Sequence, residues 1–273
     1  MNMPTPIRIV SIRRTIIFAI ATTLLVSLLP FSSSKAVDDP ILLPCDRALL
    51  IGHRGTTIGV ARNNSLVAFQ RAVADGAEVL EMDIHRTKPI NGSGTWVVWH
   101  DKTIQGKKIT DYTYSQLKAI QPDLLTIREA FIYVSTTGRT MQVEVKPTAA
   151  GEGSFKYFAQ LVNEYGMYTK FELASFDTTN LARAKAQGLR TVYLANTPVT
   201  PAAVRRYATI VHFNKTLVVS RAFVENYHRA GIKVYAYTMN TASDWTKYLG
   251  YGVDGITTDL SANYTAYCNA MQV

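Results

Sequence analysis

Short runs of β-branched and aromatic residues alternate along the chain with longer segments whose apolar positions recur at helical spacing. This alternation is typical of βα units around a parallel sheet. Eight of the runs predict strands over residues 48–51, 79–84, 141–145, 171–175, 190–194, 210–213, 234–237 and 255–258. The segments between them predict helices over residues 66–74, 114–119, 126–135, 155–165, 178–187, 201–207, 221–230 and 243–251.

A ninth run, over residues 96–99, follows the second predicted strand after a short loop that contains Pro89, Gly92 and Gly94. A parallel neighbour would need a connection of about a dozen residues or more, so this run predicts an antiparallel hairpin extension of the second strand. The eight remaining strands are the number that a (β/α)8 TIM barrel requires. A doubly wound open sheet is the alternative, and the lack of a glycine-rich dinucleotide fingerprint after the first strand argues against it.

The first 36 residues have the layout of an export signal. Arg8, Arg13 and Arg14 precede an apolar run over residues 15–31, and a short polar stretch then ends at Ala36. An uncleaved membrane anchor is the alternative, because the apolar run approaches the length that spans a bilayer. We expect removal of residues 1–36 and a single domain over residues 37–273. The protein would then be periplasmic or secreted.

The charge of the chain points to small anionic partners. Removing residues 1–36, which carry four basic and no acidic residues, lowers the net charge from +9 to +5. That mild basicity suits anionic small molecules or headgroups, and it is too weak and too evenly spread to indicate nucleic-acid binding. We expect a monomer that takes a small-molecule substrate, with transient contact to a lipid surface left open.

The chain has two cysteines, Cys45 and Cys268, which lie at opposite ends of the predicted mature protein. In an exported protein they predict one disulfide that joins the two ends. Two unpaired buried thiols are the alternative. The disulfide fits a closed barrel, in which the first and last strands are neighbours.

Carboxylates lie near the ends of two predicted strands. Since side chains alternate along a strand, Glu81 and Asp83 face the same way, and so do Glu144 and Lys146. On barrel strands this end faces the pocket in which TIM barrels keep their chemistry. Three carboxylates that converge there would form an oxygen-ligand site suited to Ca²⁺ or Mg²⁺.

Two histidines and two cations complete this set of residues. His53 ends the first strand and His100 ends the hairpin run, so both can reach a ligand held at the carboxylates. Histidines near neutral pKa can act as a base and an acid on opposite sides of one reacting centre. Arg54 and Lys146 supply positive charge suited to a phosphate. Together these residues indicate phosphoryl transfer.

The ordered set of motifs resembles the glycerophosphodiester phosphodiesterase family. Each motif alone is weakly specific, but the order and spacing of the set are specific and cover nearly all of residues 37–273. The motifs are His53-Arg54-Gly55, Asn64-Ser65, Glu81-Met82-Asp83, His100-Asp101, Glu144-Val145-Lys146, Thr238-Met239-Asn240 and the segment Gly252 to Asp259.

This resemblance implies a TIM barrel that acts on glycerophosphodiesters, which are deacylated phospholipids. The three carboxylates match the family's metal ligands, the two histidines its acid/base pair, and Arg54 and Lys146 its phosphate-binding positions. In the implied mechanism the neighbouring glycerol hydroxyl attacks phosphorus while one histidine takes its proton and the other protonates the leaving alcohol. Water then opens the cyclic phosphate to give glycerol 3-phosphate.

The chain departs from the family pattern at three places. Where the family usually has Pro-Glu-Asn-Thr, this chain has Arg62-Asn63-Asn64-Ser65, so Asn63 replaces a glutamate. Residues 88–94 replace the usual Lys-Asp-Gly hairpin, and Tyr237 replaces a tryptophan. These departures concern substrate identity more than the reacting groups.

Two alternative functions stay open. One is a phospholipase of the sphingomyelinase D type that acts on lysolipids or sphingolipids; Glu144 argues against it, since that group tends to have Asp at the third ligand position. The other is an exported binding protein without turnover, which the presence of both histidines and all three carboxylates disfavours. Among the remaining histidines, His85 is expected to support the site from behind, while His212 and His228 are expected to be structural or solvated.

Overall fold

The computed structural model describes residues 44–90, 92–147 and 150–271. In these residues the strands are β1 (Leu49–Gly52), β2 (Val79–Arg86), β3 (Trp96–Val98), β4 (Thr103–Ile104), β5 (Lys107–Lys108), β6 (Leu125–Thr126), β7 (Thr140–Val145), β8 (Phe171–Ser175), β9 (Thr191–Ala195), β10 (Ile210–Asn214), β11 (Lys233–Tyr237) and β12 (Gly255–Thr258). The α-helices are α1 (Leu66–Ala74), α2 (Tyr114–Ile120), α3 (Ile127–Ser135), α4 (Glu152–Glu164), α5 (Thr178–Ala186), α6 (Pro201–Tyr207), α7 (Arg221–Arg229), α8 (Ala242–Tyr251) and α9 (Ser261–Ala270). Short 3-10 helices cover Pro44–Arg47, Ile109–Asp111 and Lys215–Leu217.

Eight of these strands form a closed parallel barrel. The order around the barrel is β1, β2, β7, β8, β9, β10, β11 and β12, and β12 pairs again with β1. Helices connect successive barrel strands, so the chain repeats the βα unit eight times and ends with α9 after β12. The predicted TIM barrel is therefore confirmed.

Closure of the barrel depends on a glycine at the β1–β12 seam. A Cβ atom on Gly255 would lie 2.6 Å from the ring of Tyr235 and 2.9 Å from the end of Ile51, both of which are buried inside the barrel. A larger residue there would force the strands apart. Outside the strands, a larger apolar core joins the barrel to its helices, and burial of such apolar surface is the main stabilising contribution to a fold of this size.

The predicted hairpin after the second strand is present. β3 runs antiparallel to β2, with Ile84 opposite Val98 and Arg86 opposite Trp96. β6 pairs antiparallel with the other side of β3, and β4 and β5 form a separate two-stranded ribbon. This extension brings the end of β3, and with it His100, over the carboxyl ends of the barrel strands.

Some predictions concern residues outside those described. The export signal over residues 1–36 lies there, and the single-domain assignment over residues 37–273 stays a prediction. Within the described residues no helix is long and apolar enough to span a membrane.

The two cysteines form the predicted disulfide. Cys45, in the first 3-10 helix, is bonded to Cys268 in α9, with Cα atoms 5.8 Å apart and 223 positions between them in sequence. The bond ties the segment before β1 to the helix after β12, so it reinforces the seam at which the barrel closes.

Replacing both cysteines by serine is expected to lower the free energy of unfolding by about 2–5 kcal/mol, because the unfolded chain loses the closure of a very long loop. Urea denaturation of the purified protein measures this. A reducing agent should lower the midpoint of the wild type to that of the Cys45→Ser, Cys268→Ser variant and leave the variant unchanged. Equal midpoints for wild type and variant under oxidising conditions would contradict the prediction.

Candidate active site

Three carboxylates meet at the carboxyl end of β2 and β7. Asp83 on β2 lies directly opposite Glu144 on β7 in the strand register, and Glu81 lies two residues earlier on the same face of β2. One oxygen from each carboxylate lies within 4.8 Å of the others. Glu81 and Asp83 are buried and Glu144 is partly exposed to the pocket. The structure thus brings together the three predicted metal-ligating side chains.

The pKa values of the three carboxylates indicate that the cluster lacks positive charge. Burial, followed by repulsion from Asp83, raises the pKa of Glu144 to about 7, and burial together with Asp83 and Glu144 raises the pKa of Glu81 well above its usual range. Burial alone would also raise the pKa of Asp83, but Lys146 and Arg54 outweigh it and lower that pKa. Two acids that resist ionisation, Glu81 and Glu144, lie beside a third that is ionised, so the site is short of positive charge, and their oxygen donors suit Ca²⁺ or Mg²⁺. The residues present therefore fit a divalent cation.

The raised pKa of Glu144 has a consequence for stability in the absence of metal. An acid whose pKa is higher in the folded than in the unfolded protein contributes less stability as the pH rises between the two pKa values. For Glu144 this window runs from 4.5, the pKa in the unfolded protein, to about 7, the pKa in the folded protein. We expect the Tm of metal-free wild type, relative to that of Glu144→Gln, to fall across this window. Differential scanning fluorimetry in a chelator measures the difference.

A divalent cation should reverse this trend, because it binds the ionised carboxylates. The increase in Tm on adding Ca²⁺ or Mg²⁺ should be larger at about pH 8 than at about pH 5. A relative Tm of metal-free wild type that rises through the window would contradict the assignment of Glu144.

Arg54 and Lys146 lie beside the carboxylates. The Nζ atom of Lys146 is 2.9 Å from Asp83 Oδ1 and 2.8 Å from Glu144 Oε1. The Nε atom of Arg54 lies 3.1 Å from Asp83 Oδ2, and its backbone N–H donates to Glu81 Oε2. Both cations therefore border the same space as the carboxylates, where a phosphate could contact them.

The backbone around Arg54 explains the glycine that follows it. Arg54 has a φ of 54° and Gly55 a φ of 85°, so the chain turns sharply as it leaves β1. A Cβ atom on Gly55 would lie 2.7 Å from the backbone of Ala68 in α1. Only glycine fits this close approach to the helix, and the turn directs Arg54 back to the carboxylates.

His53 and His100 each have a carboxylate on one ring nitrogen. His53 Nδ1 is 2.6 Å from Asp259 Oδ1, and His100 Nδ1 is 2.8 Å from Asp101 Oδ1. A carboxylate on Nδ1 orients the ring and leaves Nε2 as the nitrogen that can exchange a proton with a ligand. His85 Nε2 contacts the backbone oxygen of His100 at 3.0 Å, so it supports the segment that carries His100.

Asp259 and Asn240 were not predicted to take part in the site. Asn240 Nδ2 donates to Asp259 Oδ2 at 2.6 Å, and Asn240 Oδ1 accepts from the Asp259 backbone N–H. Although burial would raise the pKa of Asp259, its hydrogen bond to His53 lowers it. Both residues lie within the motifs that carry the family resemblance. Asn240 follows β11 and Asp259 follows β12, which pairs with β1, and this placement is the signal by which the sequence could have indicated their role.

Many of these side chains line one cavity of about 410 Å³. They include His53 and His100, the two cations Arg54 and Lys146, and the carboxylates of Glu81 and Glu144. The buried side chains of Gln142, His212 and Thr257 form its floor, and Phe176, Leu194 and Tyr237 also line it. A cavity of this size accommodates a small organic molecule.

His212 forms the floor as a neutral side chain. It is fully buried, its Nδ1 lies 3.1 Å from Gln142 Oε1 and its Nε2 lies 2.7 Å from Thr257 Oγ1. Burial, with a smaller contribution from His53, lowers the pKa of His212 to about 3. The structural role expected for His212 is thus consistent with its contacts, although its position at the cavity floor was not predicted. His228, in contrast, is exposed and contacts Asp254.

Three aromatic residues near the ends of β3 and β11, Trp96, Trp99 and Tyr237, have different surroundings. Tyr237 lines the cavity, whereas Trp96 packs against Phe158 with ring centroids 5.2 Å apart. Trp99 lies under the guanidinium of Arg62 at 4.8 Å. Of the three, Tyr237 is positioned to contact a ligand in the cavity.

Residues 62–65, where the chain departs from the family pattern, form a loop that is held in place by side-chain hydrogen bonds. Asn64 Nδ2 donates to Asp83 Oδ2 at 2.8 Å, so the loop reaches a predicted metal ligand. Arg62 donates to the backbone oxygens of Asn63 and Asn64 and, through Nε, to Asp123 Oδ2 at 3.0 Å. Because the same guanidinium stacks on Trp99, the residue before His100, Arg62 links the loop to the segment that carries this histidine.

Replacing Arg62 by lysine is expected to lower kcat by about tenfold or more, because a small misplacement of reacting groups is costly and lysine cannot make the forked contacts. Steady-state kinetics measures this effect. Asp123→Asn, which changes the carboxylate that Arg62 contacts, should also lower kcat. Arg71→Lys, which changes an exposed pair with Asp75 on α1, is the matched control. An unchanged kcat in Arg62→Lys would show that this link does not position the site.

Comparison with known proteins identifies the family. The model of the glycerophosphoryl diester phosphodiesterase family matches residues 53–262, which is more than half of the chain. The chain belongs to this family. It is therefore a phosphoric diester hydrolase by class, and the resemblance found in its motifs is confirmed.

Individual relatives agree with this membership. A glycerophosphodiester phosphodiesterase of Caldanaerobacter subterraneus subsp. tengcongensis is 25% identical over 238 residues, which cover 78% of this chain and 94% of the relative. A glycerophosphodiester phosphodiesterase structure from Parabacteroides distasonis matches with a TM-score of 0.73 at 21% identity, over 83% of this chain and 99% of that one. An Oleispira antarctica phosphodiesterase, solved with the product sn-glycerol-3-phosphate, matches with a TM-score of 0.66 at 21% identity, over 81% and 96% of the two chains. At these identities the two structures support the fold alone.

Proposed function

We propose that this phosphodiesterase hydrolyses glycerophosphodiesters to an alcohol and glycerol 3-phosphate, with a divalent cation and an acid/base pair of histidines. The observation that carries the proposal is the convergence of His53 and His100 on one cavity that Arg54 and Lys146 also line, beside three carboxylates. The product found in the Oleispira antarctica relative is the product proposed here.

Glu81, Asp83 and Glu144 would hold the cation, which is Ca²⁺ or Mg²⁺. When bound, the cation supplies positive charge to the phosphoryl oxygens and orients the substrate. Arg54 and Lys146 also line the cavity and add fixed positive charge. The phosphate of the substrate would lie between these two cations and the two histidines.

The histidines would carry the proton transfers. In the first step the glycerol hydroxyl next to the ester attacks phosphorus, one histidine takes the proton of that hydroxyl, and the other protonates the leaving alcohol as its bond to phosphorus breaks. In the second step water attacks phosphorus and gives its proton to the histidine that protonated the leaving alcohol, while the other histidine protonates the ring oxygen formed in the first step as the bond of that oxygen to phosphorus breaks. Asp259 and Asp101 would hold the two imidazole rings in the orientation that these transfers need.

The proposal is tested by the products formed from two substrates. The protein, supplied with Ca²⁺ or Mg²⁺, is incubated separately with glycerophosphocholine and with lysophosphatidylcholine, and phosphorus-31 NMR identifies the products. Release of glycerol 3-phosphate from glycerophosphocholine supports the proposal. A lasting cyclic phosphate from the lysolipid, with glycerophosphocholine left intact, would instead support the phospholipase, and binding without any product would support a binding protein.

We also propose that the protein is exported, as a monomer that is periplasmic or secreted. The disulfide between Cys45 and Cys268 supports export, because structural disulfides persist mainly in oxidising compartments. Mass spectrometry of the protein recovered from cell fractions tests this, and a protein that keeps residues 1–36 in the cytosol would contradict it.

A further inference from the structure

A second cleft lies apart from the active-site cavity. It has a volume of about 380 Å³, lies between the β2–β3 hairpin and the first turns of α3 and α4, and shares none of the residues that line the active-site cavity. Basic and hydroxyl-bearing side chains line part of it, and the rings of Trp96 and Tyr157 line the rest. Its size accommodates a small organic molecule.

The start of α4 contributes an anion-binding helix terminus to this cleft. The helix has 13 residues, and its N-cap, Gly151, provides no side chain to accept hydrogen bonds from the first turn. The free N–H groups and the dipole of a helix favour an anion at its N-terminus. Gly153 and Ser154 of this first turn line the cleft, and the N–H of Ser154 already donates to the backbone oxygen of Gly151 at 2.9 Å.

Two residues that line the cleft, Arg86 and Ser154, each have a buried polar atom with no hydrogen-bond partner among the described residues. Ser154 is only 4% exposed, and its Oγ atom is buried and unpartnered. The Nε atom of Arg86 is likewise buried and unpartnered, and Arg86 forms no ion pair among the described residues. A buried donor without a partner is destabilising, and native proteins satisfy nearly all of them. These two donors therefore point to a ligand that carries acceptor atoms.

The charges around the cleft favour an anion. Arg128, at the start of α3, also lines the cleft and already pairs with Glu164. The nearest acid on α4, Glu152, is exposed, does not line the cleft, and pairs with Lys156 at 3.4 Å. Donors from Arg86 on β2 and from the first turn of α4, which includes Ser154, approach from two elements, which suits the several acceptor oxygens of a phosphate group.

We propose that this cleft is a second ligand site, which binds a small molecule through a phosphate group. The phosphate contacts Arg86, the N–H groups at the start of α4 and the hydroxyl of Ser154. The carbon-containing part of the ligand packs against Trp96 and Tyr157.

The test uses inorganic phosphate and glycerol 3-phosphate as probes, with Arg54→Gln present in every protein to weaken phosphate binding at the active site. Backbone amide signals of Gly153 and Ser154 are followed by nitrogen-15 NMR during titration. We expect saturable shifts of both signals. The dissociation constant should be at least about tenfold larger in Arg86→Gln and should increase less in Ser154→Ala. Arg229→Gln removes an exposed charge on α7 and is the matched control, in which affinity should not change.

Two results would overturn the proposal. One is the absence of saturable shifts at Gly153 and Ser154 in protein whose spectrum shows it to be folded. The other is equal affinity in the Arg86→Gln and Arg229→Gln proteins. Because the readout is binding at α4 in a protein with a weakened active site, neither result bears on the proposed diesterase activity.

A second arm distinguishes the source of the phosphate. Cosedimentation with phosphatidylcholine vesicles that contain phosphatidic acid, lost in Arg86→Gln, would assign a lipid headgroup to the cleft. Binding of the soluble probes without cosedimentation would assign a soluble phosphate compound.

Discussion

Replacing either His53 or His100 by alanine is expected to lower kcat for glycerophosphocholine by about 10²–10⁴-fold, because each replacement removes a group that transfers a proton in both steps. KM should change little, since Arg54, Lys146 and the carboxylates still surround the phosphate. The double variant should lose little more than either single one, because the two histidines act as a unit. Steady-state kinetics in saturating divalent cation measures all three proteins.

His228→Ala is the matched control for this experiment. His228 is an exposed histidine on α7 that contacts Asp254, away from the cavity. Its replacement should leave kcat within about twofold, in line with the small effects of most surface substitutions. Wild-type kcat in His53→Ala or His100→Ala would show that the acid/base assignment is wrong.

Asp83→Asn should have the second large effect, a loss of activity of at least about 10³-fold together with loss of the cation-dependent increase in Tm. Asp83 contacts Arg54, Lys146 and Asn64 and is one of the three clustered carboxylates, so the amide removes a charge on which the whole cluster depends. Its own pKa is lowered by Lys146 and Arg54 against the effect of burial, so it is the carboxylate already ionised before a cation binds. Thermal unfolding with and without Ca²⁺ or Mg²⁺ measures the second effect independently of turnover.

A buried carboxylate elsewhere in the barrel provides the control for Asp83→Asn. Glu172 on β8 contacts Gln142 and Arg190 and lies outside the cluster. The Glu172→Gln protein should keep the full cation-dependent increase in Tm, whatever its own stability. An equal increase in Asp83→Asn and wild type would rule out Asp83 as a ligand of the cation.

The sequence predicted the barrel well because each barrel strand is a short apolar run bounded by turn residues, which local pattern alone detects. The elements it missed have weak local patterns. β4, β5 and β6 have two residues each. The buried face of α9 is formed by Ser261, Tyr264 and Cys268, which do not form a recognisable apolar stripe.

The same distinction holds within the site. The alternation of side chains along β2 and β7 was enough to predict that Glu81, Asp83 and Glu144 share a face. The contact between His53 and Asp259 joins residues 206 positions apart and exists only because β12 closes against β1. Gln142 and His212 likewise meet across the barrel interior. Contacts of this kind depend on the closed tertiary structure, so the sequence pattern did not reveal them.

Turnover of glycerophosphocholine by protein stripped of metal tests directly whether the site is a metal-dependent diesterase. Glycerol 3-phosphate is followed before and after Ca²⁺ or Mg²⁺ is restored. We predict no release in the chelator and full release after the cation is added. Release at the same rate in the chelator, or tight binding with no release in any condition, would contradict the account of the site as a metal-dependent diesterase.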